Sequence, residues 1–84
     1  MRVGAQFTGT IPAGATRRWF TFSWPQQWHV VWYVVPTSPQ SGSPQVEWNV
    51  AVERASSAHI TYWITIKNLT SNPVNIEGRY AVLN

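Results

Sequence analysis

Apolar and polar residues alternate with a period of two through most of the C-terminal half of the chain. Across residues 45–54, Val46, Trp48, Val50 and Val52 share one face, while Glu47, Asn49, Ala51 and Glu53 share the other. Across residues 59–69, Ile60, Tyr62, Ile64 and Ile66 oppose His59, Thr61, Trp63, Thr65 and Lys67. Across residues 74–83, Val74, Ile76, Gly78, Tyr80 and Val82 oppose Asn75, Glu77, Arg79 and Ala81. Strict alternation is the mark of strands with one face buried and one wet. The N-terminal half predicts three more strands, at residues 5–11, 16–23 and 28–35, separated by Pro12-Ala13-Gly14, by a turn at Trp24-Pro25, and by Pro36. The longest loop spans residues 36–44, with three Pro, three Ser and one Gly, and suits an exposed connection. No stretch has a helical period.

Six short strands at regular spacing predict an all-β fold, a small antiparallel β-sandwich or barrel of about six strands, with residues 1–84 as one domain. Within the first third stands Gly9-Thr10-Ile11-Pro12-Ala13-Gly14-Ala15-Thr16, followed by Arg18-Trp19-Phe20-Thr21-Phe22. Residues 9–23 resemble the opening of bacterial pre-peptidase C-terminal domains, small β-sandwiches often appended to secreted enzymes. The acidic residues that family usually carries in its middle are missing here, since the chain has no Asp. The resemblance adds support for a sandwich.

Short connections suggest how the last three strands pair. A loop at residues 54–58 puts Glu53 opposite His59 and Asn49 opposite Trp63. A turn at Ser71-Asn72 then puts Trp63 opposite Glu77 and Thr61 opposite Arg79. Both registers keep the apolar faces together, the constraint that fixes register in a half-buried sheet. The expected wet face carries Trp63 ringed by Asn49, Glu77, Arg79, His59, Glu53 and Glu47, with all three carboxylates of the protein on one side. An indole stacks on the apolar C–H face of a sugar, and Asn, Glu and Arg hydrogen-bond its hydroxyls. The face therefore predicts a lectin-like carbohydrate-binding module with a glycan as partner.

Residues 28–35 behave differently, because they are apolar on both faces. Trp28, Val30, Trp32 and Val34 line one side; Val31, Tyr33 and Val35 line the other. Such a strand needs cover on both sides. That predicts a homo-oligomer, with Trp19, Trp28 and Trp32 as interface residues. The alternative to the lectin is an oligomeric structural or protein-interaction module without a small-molecule ligand, its surplus tryptophans serving as contact anchors.

Composition narrows the classes further. The chain has 84 residues, six of them Trp, with only 11% charged residues and a net charge of +3. Six indoles exceed what one small core is expected to hide. The basic residues are Arg2, Arg17, Arg18, Arg54, Lys67 and Arg79, dispersed rather than in a block, so nucleic acid is not the expected partner. Without Cys or Asp there is no thiolate site and no carboxylate-rich cation site, and no metal or cofactor is expected. A Ser–His–Glu set can be drawn from Ser56 or Ser57, His59 and Glu53, but one tight turn offers no oxyanion hole, and an enzyme is not expected. No apolar run reaches membrane-spanning length, and the first residues lack the apolar core of a signal peptide, so a soluble protein of unknown location is expected. Asn68-Leu69-Thr70 matches the N-glycosylation triplet, which arises often by chance.

Overall fold

The alternating segments form seven strands in a computed structural model that describes residues Met1–Asn84: β1 (Arg2–Ile11), β2 (Thr16–Phe20), β3 (Trp24–Pro25), β4 (Val30–Pro36), β5 (Val46–Arg54), β6 (His59–Asn68) and β7 (Val74–Val82). All pairings are antiparallel. One sheet has the order β1–β7–β4. In the other, β6 is central, with β5 on one side and β2 and β3 in tandem on the other. The two sheets pack as a sandwich, and β6 and β7, the strands with the cleanest alternation, each hold the middle of a sheet. There is no helix, and so none long and apolar enough to cross a membrane.

The seventh strand arises where the sequence reads as a turn. Trp19 pairs with Ile64 and Trp24 with Ile60, so the edge strand takes five steps where β6 takes four. The extra residue is a bulge, absorbed at Ser23 in the left-handed region with φ 55°. Thr21 holds the joint from inside: its backbone N–H donates to the Tyr62 carbonyl, and its Oγ1 accepts from the Tyr62 N–H at 3.1 Å. The bulge keeps Trp19 and Trp24 both inward.

The core is narrow, with 13 of 84 residues buried. Ile11, Ile64, Ile66 and Ile76 fill its middle, and burying each contributes about 1.5–3 kcal/mol. Aromatic rings extend it at both ends. Phe7 stacks on Trp19 at 4.9 Å, in space that two glycines leave open. A Cβ on Gly78 would meet the Phe7 ring, and one on Gly9 would lie 2.6 Å from the Trp19 ring. At the other end Trp24 touches Trp28, Trp32, Tyr62 and Tyr80, with centroids 5.1–5.8 Å apart. Within this cluster the Trp32 Nε1–H is buried without a hydrogen-bond partner.

The expected pairing of the last two strands is overturned. β6 and β7 lie in different sheets, and β7 pairs with β1 and β4. The chain between them arches across the sandwich rather than turning back as a hairpin. Asn68 builds the arch. Fully buried, it donates from Nδ2 to the carbonyls of Ile11 (3.0 Å), Pro12 (3.1 Å) and Asn72 (2.7 Å). Its Oδ1 accepts from the Thr70 N–H at 2.8 Å. In this fold the Asn68 Nδ2, the atom a glycan would be attached to, is engaged by backbone carbonyls.

Candidate functional site

The outer face of the β6 sheet is built in cross-strand rows. Phe20, Trp63 and Ala51 form one row. Arg18, Thr65 and Asn49 form the next, and Thr16, Lys67 and Glu47 the third. The β5–β6 hairpin forms as the sequence suggests but slips by two residues: Glu53 faces Thr61 and Asn49 faces Thr65. A slip of two keeps every residue on its expected face. Small Ala51 then lies opposite Trp63, and Glu53 accepts the Trp63 Nε1–H at 2.9 Å.

Trp63 is therefore occupied. Phe20, directly across the strand pair, stacks on it at 4.8 Å, and the Arg18 guanidinium carbon lies 5.2 Å from its ring centroid. The open aromatic surface is phenylalanine instead. Phe20 is 48% exposed, and Phe22, edge-on to it at 5.0 Å, is 75% exposed. Alternation alone leaves open which side of β2 points in; the expectation of an outward Trp19 is reversed. Beside the aromatic row lies a shallow depression of about 430 Å³ lined by Thr16, Glu47, Trp48, Asn49, Thr65 and Lys67.

Of the seven residues expected around the sugar, Trp63, Asn49, Glu53 and Glu47 share this face. His59 lies at its far end, as the first residue of β6, where its Nδ1 is 3.4 Å from Ser56 Oγ in the hairpin turn. Ser56 Oγ accepts the N–H groups of Ala58 and His59, and Glu53 is taken by Trp63, so the Ser–His–Glu set is not assembled. Glu77 and Arg79 are not on this face, because β7 belongs to the other sheet. They form an ion pair of 2.7 Å on the opposite surface of the sandwich. The carboxylates are thus split two and one. No three His or carboxylate side chains gather where they could hold a metal.

The expected interface tryptophans are also placed inside. Trp32 is 7% exposed and part of the core. Trp19 is half-buried against Phe7, and Trp28 half-buried between Trp24 and Arg2. The outward side of β4 is instead Val31 and Tyr33, 51% and 53% exposed, beside the half-buried Val35. Ala81 lies opposite Val31, and Val3 of β1, 71% exposed, continues the row. The doubly apolar strand signalled this surface, though it could not say which side was outward. Compared with protein-family models, with curated proteins and with solved structures, the chain has no match.

Proposed function

We propose that the protein is a lectin-like module that binds a glycan on the outer face of the β6 sheet. The observation that carries this reading is the continuity of an exposed aromatic edge, Phe20 and Phe22, with the polar depression that begins in the next row. Residues two apart on a strand are about 6.6–6.8 Å apart, so the face spans several rows at the scale of sugar rings. The phenyl rings offer an apolar surface for C–H groups. Asn49 supplies a donor and an acceptor, Glu47 accepts, and Lys67 donates. One acid and one base in the depression leave it polar without strong net charge, which suits a neutral ligand.

A glycan-array screen tests this, with Phe22→Ala and Asn49→Ala proteins beside the unaltered one. Both residues are exposed, so the fold is expected to survive. The expected result is a coherent set of bound glycans, with binding reduced roughly tenfold by either change. A blank array from folded protein would sink the reading.

The second reading, self-association, is favoured by the outer surface of the β1–β7–β4 sheet. Val3, Val31 and Tyr33 leave an apolar strip there, beside one ion pair whose Arg79 side chain is 49% exposed. A two-fold axis passing beside this pair would set Arg79 of each copy against Glu77 of the other, an arrangement in which the charges are self-complementary. Paired copies also give weak sugar sites the benefit of multivalency. Sedimentation of the unaltered protein beside Tyr33→Lys checks this, with a shift from dimer to monomer expected.

A further inference from the structure

One end of the sandwich opens as a second depression, of about 310 Å³, where the β2–β3 bulge approaches the start of β1 and the end of β7. Its walls are aromatic, with Trp24, Trp28 and Tyr80 inside and Phe22 at the rim. The strained Ser23 lines it too, and Phe22, outward by its alternation with Phe20, stands beside the bulge. The only formal charge in the lining is Arg2, whose guanidinium carbon lies 4.3 Å from the Trp28 ring centroid. Arg2 has no carboxylate beside it, since the single salt bridge of the molecule joins Arg79 to Glu77.

This combination selects a ligand chemistry. Cation–π contact with the indole restrains the guanidinium and leaves N–H donors at its edge without a partner. That edge matches a carboxylate bidentately. An aromatic-walled pocket otherwise attracts organic cations, but Arg2 already occupies that role and repels them. We propose that the end pocket binds a ring bearing a carboxylate, either an acidic sugar or an aromatic acid. Arg2 takes the carboxylate, and Phe22 and the two indoles take the apolar face of the ring. This site shares the Phe22 ring with the edge of the β6 face, but its charge, Arg2, and its indoles, Trp24 and Trp28, lie outside that face.

Nitrogen-15 NMR titration of the whole chain tests the proposal, with D-glucuronate and benzoate as probes and the methyl ester of each as its uncharged twin. The indole N–H signals of Trp24 and Trp28 are expected to shift saturably with an acid, and the ester to bind roughly tenfold more weakly. Arg2→Gln is expected to erase the acid's advantage while the spectrum stays dispersed. Glucuronate alone identifies an acidic sugar, benzoate alone an aromatic acid, and binding of both supports the shared chemistry. Silent indole signals with both acids, or equal affinity for acid and ester, would overturn the proposal, as would an advantage that survives in Arg2→Gln. Signals from Trp63 and Asn49 report on the β6 face separately, so failure at one site is read apart from failure at the other.

Discussion

The two ends of β6 leave the sheet through connections of similar length and opposite outcome. At its N-terminal end the chain arrives from β5 through a hairpin; at its C-terminal end it departs over an arch into the other sheet. Side-chain hydrogen-bond contacts organise both connections, five in the hairpin and seven in the arch, the last two of these between Thr70 and Asn72. In the hairpin, Arg54 donates to the carbonyls of Ser56 and Ser57, and Ser56 Oγ engages Ala58 and His59. In the arch, Asn68 alone takes part in five of the seven. The difference is water. The hairpin contacts are exposed, so solvent can replace any of them. Asn68 is sealed; the Pro12 carbonyl also accepts the Ala15 N–H and the Asn72 carbonyl lies within reach of the Thr70 hydroxyl, but the Ile11 carbonyl it serves belongs to a residue with no exposed surface. A polar group sealed in this way commits the chain to one path, because the alternative leaves buried acceptors unpaired.

The largest expected effect tests this contrast directly. Asn68→Ala is expected to lower the unfolding free energy by about 2–3 kcal/mol, because it removes every contact of a fully buried side chain and leaves the buried Ile11 carbonyl without this donor, where a buried unpaired group costs about 1–3 kcal/mol. A lowered urea midpoint with an unchanged slope is the readout. A loss below 1 kcal/mol would mean that core packing, not the clamp, holds the arch.

Thr70→Val sharpens the same point at smaller scale. The Thr70 hydroxyl lies 2.8 Å from Asn68 Oδ1 and 2.9 Å from the Asn72 carbonyl, donating its one proton to either, and it accepts the Asn72 N–H. A loss of about 1–2 kcal/mol is expected for a partly buried site of this kind. At the hairpin, Ser56→Ala is expected to cost about 0.5 kcal/mol and to leave the β5–β6 register unchanged by amide exchange. An equal cost at Ser56 and Asn68 would break the comparison.

The mildest expected effect concerns alkali. Burial pushes the Tyr62 hydroxyl above its ordinary value of 10.0, because the phenolate would lose hydration. The folded state then holds this proton longer than the unfolded chain. Its contribution is complete below pH 10 and declines as pH rises through the higher folded value. Denaturation midpoints at pH 9 and pH 11 check the sign, with Tyr62→Phe expected to reduce the decline.

This contrast also explains why the candidate site was only partly legible. Trp63, Asn49, Glu47 and Glu53 were found together because they are placed by one hairpin and by parity, both local. Glu77 and Arg79 were assigned to the same face on the assumption that a short connection makes a hairpin, and Asn68 defeats that assumption. Phe20 and Phe22 join the face through β2, while Thr65 and Lys67 are on it by parity and only their cross-strand partners change with the two-residue slip. The β2–β6 pairing spans more than forty residues, and nothing local in the chain announces it.

What the sequence by itself determined is six of the seven strands, the face on which each side chain of β5, β6 and β7 lies, and the all-β class. Side-chain alternation is a property of one strand, and the penalty for burying its polar face does not depend on its neighbours. The tertiary structure alone decided which sheet β7 joined, that β2 turned its tryptophan inward and its phenylalanines out, and that the indoles packed against one another rather than against solvent. Those outcomes depend on contacts between distant segments: a sealed asparagine meeting carbonyls some fifty-seven residues away, and glycines leaving space for rings on other strands. Each requires the whole sandwich to be in place before its energy exists.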